Sequence, residues 1–216
     1  MSQAQTAEVK ALAWFKLSEF ISRGEKERAF GAYKVLVLSF DNKAFCLLIE
    51  GDLLSIFGEA ALANEKYLEA AKIYESLENY FLASIAYNSY LQNSKCCHIL
   101  NKLCEIYSQL KFKPKVISSL RALFRFYLEN KNKDAAEECL KKLCEYGDCL
   151  KEEEEWAFFL LNENKNTKET LANIGKVIEN LFTKGESKEL QKFLGKLETL
   201  DAEAYKNAIN KMRDSK

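Results

Sequence analysis

The chain has 216 residues, enough for one large domain or a run of several helical hairpins. Apolar residues make up 48% of it and charged residues 30%, and lysine plus arginine balance aspartate plus glutamate at 32 each. That balance excludes a global pull toward nucleic acid or an anionic membrane, so any such binding needs a local patch. One proline, Pro114, and eight glycines argue against a β-sandwich or a Rossmann-type fold, which need more turn chemistry.

No apolar stretch approaches the roughly 18–20 residues of a membrane span, and residues 1–10 lack the basic start and apolar run of a signal peptide. The seven cysteines are Cys46, Cys96, Cys97, Cys104, Cys139, Cys144 and Cys149. They are odd in number and mostly fall inside apolar helical patterns, which predicts unbridged thiols in a reducing, cytoplasmic compartment.

Helical periodicity runs from one end to the other. Thr6 is the expected cap of a first helix carrying Trp14, Phe15, Leu17 and Phe20, with Gly24 as its end. A second helix is predicted over Glu25 to Ser39. Leu53, Leu54 and Phe57 lead through Gly58 into Ala60 to Ala63, then Tyr67, Ala70, Ala71 and Tyr74. Tyr80, Ala83, Ala86, Tyr87 and Tyr90 repeat that theme: a small residue lets two helices approach, and an aromatic fills the space beside the crossing.

Ser94 reads as the opening of the next helix, Pro114 suits a helix start, and Gly147 reads as a stop. The run Glu152 to Glu155 fits a first turn, where acids complement the helix dipole and are expected to face water. Asn166 or Thr167, Ser187 and Asp201 are the expected caps of three last helices. The sum is about a dozen helices joined by short links, the layout of hairpins stacked in sequence.

Leu54, Phe57, Gly58 and Ala61, followed by Tyr67, Ala70 and Tyr74, resemble the two helices of a tetratricopeptide (TPR) unit. The resemblance is clearest over residues 44–93. The interval from Tyr67 to Tyr80 is far shorter than the family's repeat of about 34 residues, which is closer to the divergent arrays of SNAP-type and coat-type adaptors. The resemblance implies an all-α, right-handed superhelical array of antiparallel hairpins, a TPR-like α-solenoid. It implies one domain over residues 1–216, with the helices of residues 166–213 suited to cap it. It also implies a non-catalytic module that holds a peptide or helix of a partner protein in a concave groove. Ser55 and Glu59 stand where carboxylate-clamp members of the family carry lysine and asparagine, so that clamp is not expected.

No residue set amounts to an active site, and neither a cofactor nor a metal is expected. His98 is the only histidine. Cys96, Cys97, His98 and Cys104 point in different directions on one helix, because neighbouring residues are turned about 100° apart. Cys139, Cys144 and Cys149, spaced by five, are expected to scatter around a helix and past Gly147.

The strongest charge feature is the basic stretch 111–133, with Lys111, Lys113, Lys115, Arg121, Arg125, Lys131 and Lys133 against one acid, Glu129. Ser118, Arg121 and Arg125 share a helix face. They are candidate partner contacts for an acidic peptide, a phosphate or a nucleic-acid backbone. The competing expectation is that these cations pair across neighbouring helices with the acidic stretch from Asp134 to Glu155. Tyr80 and Tyr87 are candidate peptide anchors, weighed against a role in helix packing. Trp14, Phe15 and Phe20 leave the first helix poorly covered, which points to a homodimer or a partner at that end.

Overall fold

A computed structural model describes residues 3–214, apart from residues 148 and 164–166, with side chains described from residue 11 to residue 210. Among the described residues there are twelve α-helices and no strand. The chain divides inside the seventh helix into two compact units, Met1–Ser119 and Leu120–Lys216.

The first unit begins with α1 (Gln3–Ser22) and α2 (Lys26–Val37). Thr6 lies inside α1 rather than at its cap. Gly24, at φ 70°, closes the helix: its N–H bonds to the carbonyl of Ile21, and that of Glu25 bonds to Phe20. This pair of bonds is the Schellman arrangement, which satisfies the last carbonyls of a helix and reverses the chain. It recurs at Gly58, between α3 (Lys43–Ile56) and α4 (Ala60–Ser76), and at Glu78, before α5 (Tyr80–Asn93). It recurs again at Lys111, between α6 (Cys97–Gln109) and α7 (Lys113–Glu129), and at Lys131, before α8 (Lys133–Tyr146). Lys131 already belongs to the second unit, which has the arrangement again at Gly185, between α10 (Lys168–Thr183) and α11 (Ser187–Leu200).

Side-chain caps then start several helices. Asn42, Asn79 and Asn132 accept from the backbone N–H three residues on, Thr167 does the same for Thr170, and Asp201 serves Glu203 and Ala204. Two expected caps move by a few residues. Ser94 is extended backbone at the end of α5, and Ser187 is the first residue of α11, after Glu186. Asn166 lies outside the described residues.

Within the first unit, α3 packs against α4 and α4 against α5, with Ala63, Ala70, Ala71, Ala83 and Ala86 wholly buried at the crossings. Tyrosines fill the space beside them and pass their hydroxyls to the neighbouring helix. Tyr33 donates to the Cys46 carbonyl at 2.9 Å, Tyr67 to Asp52 at 2.8 Å and Tyr87 to Glu75 at 3.1 Å. Tyr107 accepts from Asn88 at 2.7 Å. Burial with a polar exit is the condition under which tyrosine is stable in a core. Gly51 makes room for one of these rings: a Cβ there would lie 2.6 Å from Tyr67 Cε1.

In the second unit, α9 (Leu150–Glu163), α10, α11 and α12 (Ala202–Asp214) share one core. Phe158, Leu161, Ile174, Val177, Leu181, Phe193, Leu197 and Ala204 all belong to it, and the Phe158 and Phe193 rings meet at 5.0 Å. The last helices are thus part of this core as well as its end.

Two predictions follow from backbone and packing. Glu78, Lys111 and Lys131 hold φ of 54–55° without being glycine. Replacing each with glycine removes a left-handed penalty of about 1–2 kcal/mol at an entropic cost of about 0.5–1 kcal/mol. The triple variant should therefore melt at higher temperature by calorimetry, with unchanged helix content. Gly51→Ala should destabilise by roughly 1–3 kcal/mol in urea unfolding, the usual range for overpacking, and a neutral result would contradict the Tyr67 contact.

Candidate interaction cleft in the second unit

The basic residues that close α7 and open α8 are set against the acids of α9 and α10. Arg121 Nε lies 2.8 Å from Glu152 Oε1, and Arg125 Nη2 lies 3.1 Å from Glu155 Oε1. Lys131 pairs with Glu163 and Lys133 with Glu169, each at 2.7 Å. Four cations of the basic stretch are therefore held by carboxylates: Arg121 and Arg125 by acids of the expected segment 134–155, Lys131 and Lys133 by acids beyond it. The Glu155 hydrogen bond raises the Arg125 pKa further.

The acidic run departs from expectation. Glu152 and Glu153 are buried, not solvated, with side chains 3% and 8% exposed. The reason is that the first turn of α9 is inside the unit, so its two inward carboxylates need partners. Glu152 takes Arg121. Glu153 is held by Lys176 Nζ at 2.7 Å and Asn180 Nδ2 at 2.8 Å, both on α10. The second oxygen of Glu152, Oε2, is buried and accepts from no group of the chain among the described residues.

Arg121, Arg125, Glu152, Glu154 and Glu155 form one side of a cleft whose other side is α11, with Glu186, Glu189, Lys192 and Lys196. Phe158 and Phe193 are its aromatic lining, and Lys196 Nζ sits 4.2 Å from the centre of the Phe158 ring. The cleft is thus lined by α7, α9 and α11, alternate helices of the second unit, and carries both signs of charge. Burial raises the Glu154 carboxyl pKa, Glu186 raises it further, and Lys192, Lys196 and Lys151 oppose the shift.

The other candidate residues lie elsewhere. Ser118 is exposed on α7, and its hydroxyl donates to the Lys115 carbonyl. Tyr80 is half-buried at the start of α5. Tyr87 is 4% exposed, and burial together with Glu75 pushes its phenol up to about 12. That ring is committed to helix packing, which takes it out of the pool of surface anchors. On α1, Leu12 and Phe15 are 54% and 69% exposed, and Trp14 lies edge-on to Phe40. Cys97 and Cys104 are half-buried on α6, with His98 exposed beside them.

Cys144 and Cys149 do not scatter as their spacing of five implies. Gly147 turns the chain at φ 130°, so the two residues face each other across the α8–α9 link and are joined by a disulfide, with Cα atoms 5.3 Å apart. Glu153 Oε1 lies 3.7 Å from Cys144 Sγ. Two cysteines flanking a glycine stop were the available signal, because a helix count alone does not follow the chain through a reversal.

Helices joined by Schellman links, with alanines at the crossings and tyrosines beside them, define an all-α protein built of antiparallel helical hairpins. No family model matches the sequence, and no curated protein matches it. Two solved structures align along nearly the whole chain. One is a tetratricopeptide repeat protein from Parabacteroides merdae, with 16% identity, coverage of 94% of this chain and 99% of that one, and a TM-score of 0.30. The other is PilF of Pseudomonas aeruginosa, with 12% identity, coverage of 98% and 100%, and a TM-score of 0.31. At those values neither carries an argument about this chain, whose all-α hairpin architecture rests on its own helices and links. Among the described residues no helix is long and apolar enough to cross a membrane.

The two arginine pairs should respond differently to truncation. Arg121→Ala leaves a buried carboxylate without its cation and should cost about 2–3 kcal/mol, less than the full buried-pair penalty because Arg121 is itself 42% exposed. Arg125→Ala breaks an exposed pair and should cost about 0–1 kcal/mol. Chemical denaturation of the two variants side by side measures the difference.

Proposed function

We propose that this chain is a non-catalytic interaction module, located in the cytoplasm, that binds an extended or helical segment of another protein. The observation that carries the reading is the cleft lined by α7, α9 and α11, which offers Lys192, Lys196, Glu186 and Glu189 beside Phe158 and Phe193. Helices that present both signs of charge beside aromatic side chains can read a segment through several side chains at once. The free oxygen of Glu152 adds an acceptor that a partner's donor would satisfy.

A nucleic-acid role for residues 111–133 is less well supported. Neutralising phosphates requires cations that can leave their present partners, and Arg121, Arg125, Lys131 and Lys133 are held by carboxylates. Charge reversal at Arg121 would also set an acid against buried Glu152, so loss of binding in that variant would not separate recognition from misfolding.

Lys192→Glu with Lys196→Glu is the cleaner test, since both residues line the cleft on α11. Affinity capture with the native chain should recover a protein whose segment binds the purified chain. The double variant should weaken that binding at least tenfold by calorimetry while keeping the helical signal. Recovery of nucleic acid alone, released steeply by salt, would overturn the reading.

A further inference from the structure

We propose that Cys144 and Cys149 are a reversible modification site, a dithiol–disulfide couple whose oxidant is a low-molecular-weight disulfide of the glutathione class. The pair sits where α8 ends and α9 begins. Gly147 supplies a backbone angle that other residues rarely adopt, and the Cα separation of 5.3 Å lies inside the usual disulfide range.

Three features make the couple suited to cycling rather than to stapling. The loop it closes has a sequence separation of only 5, so the bond removes little chain entropy. The core shared by α9, α10, α11 and α12 contains neither cysteine. The reduced state is also provided for, because Glu153 Oε1 stands 3.7 Å from Cys144 Sγ as an acceptor for the thiol. In a reducing compartment such bonds are transient.

Cys144 is half-buried and Cys149 is 7% exposed, which orders the steps. The Cys144 thiol loses its proton to solvent, and its thiolate attacks one sulfur of the small disulfide and expels one thiolate, leaving a mixed disulfide. Cys149 loses its proton to solvent, attacks the Cys144 sulfur and expels the second thiolate. The protein loses two electrons and two protons, and the small disulfide becomes two thiols. The bond anchors the chain just ahead of Leu150, Lys151 and Glu152, which line the cleft, so the redox state is transmitted to the first turn of α9. The chemistry does not depend on the cleft having a ligand.

The test equilibrates the full, reduced chain in buffers of graded reduced-to-oxidised glutathione ratio, then alkylates the remaining thiols and maps them by mass spectrometry. Cys144 and Cys149 should lose alkylation together in one two-electron transition, while Cys46, Cys96, Cys97, Cys104 and Cys139 stay reactive after denaturation. Cys149→Ser should stop at a glutathione adduct on Cys144. Amide exchange over residues 150–155 should slow on oxidation of the wild type and not of that variant. Alkylation of both residues at every ratio, pairing with a different cysteine, or uptake of zinc by Cys144, Cys149 and Glu153 that blocks oxidation would overturn the proposal. If Cys149→Ser fails to fold, the wild-type trapping and exchange data decide alone.

Discussion

The left-handed residue at each tight helix link is the constraint on which the rest of the structure depends. A helix leaves its last carbonyls unpaired. At Gly24, Gly58, Glu78, Lys111, Lys131 and Gly185 the two bonds that pair them also fix the direction of the chain leaving the helix. The next helix is thereby delivered antiparallel within two residues. Only then can Ala63 or Ala83 meet a facing backbone, and only then do the tyrosines find a gap of the right depth.

The two units complete this frame by different means. The first fills its crossings with tyrosine, and each hydroxyl reaches a polar group on the adjoining helix. The second buries carboxylates. Glu152 and Glu153 sit in the first turn of α9, where the helix dipole already favours negative charge, and cations from α7 and α10 complete their neutralisation. The same burial that makes Glu152 costly to leave unpaired places it on the cleft wall.

How much of this was legible in the sequence depended on range. Helix number and most link positions follow from apolar spacing and from capping residues such as Asn79 and Asp201, because those signals act within one turn. The glycine stops were visible, while the left-handed backbone at Glu78, Lys111 and Lys131 was not, since nothing local marks a glutamate or lysine that has been driven into that conformation by the helices on either side. Glu152 reads as a solvated helix start because acids at that position commonly are, and only the neighbours supplied by α7 and α10 show otherwise. Arg121 and Arg125 were visible as cations, and their partners were visible as acids. Which acid meets which cation is set by packing across tens of residues. The Cys144–Cys149 pair was hidden because a glycine marks the stop of α8 without marking the direction in which the chain leaves it.

Short links also determine how the chain acquires its structure. Within each unit the principal contacts join helices that are adjacent or next-but-one along the chain, from α1 with α2 to α10 with α12. Little loop-closure entropy stands between an unfolded segment and its first native contacts, the condition associated with fast folding. A hairpin such as α3–α4 contains its own turn, caps and small-residue crossing, so ordering can begin there and spread to its neighbours. A chain emerging from the ribosome would therefore hold folded hairpins well before its last helix was made.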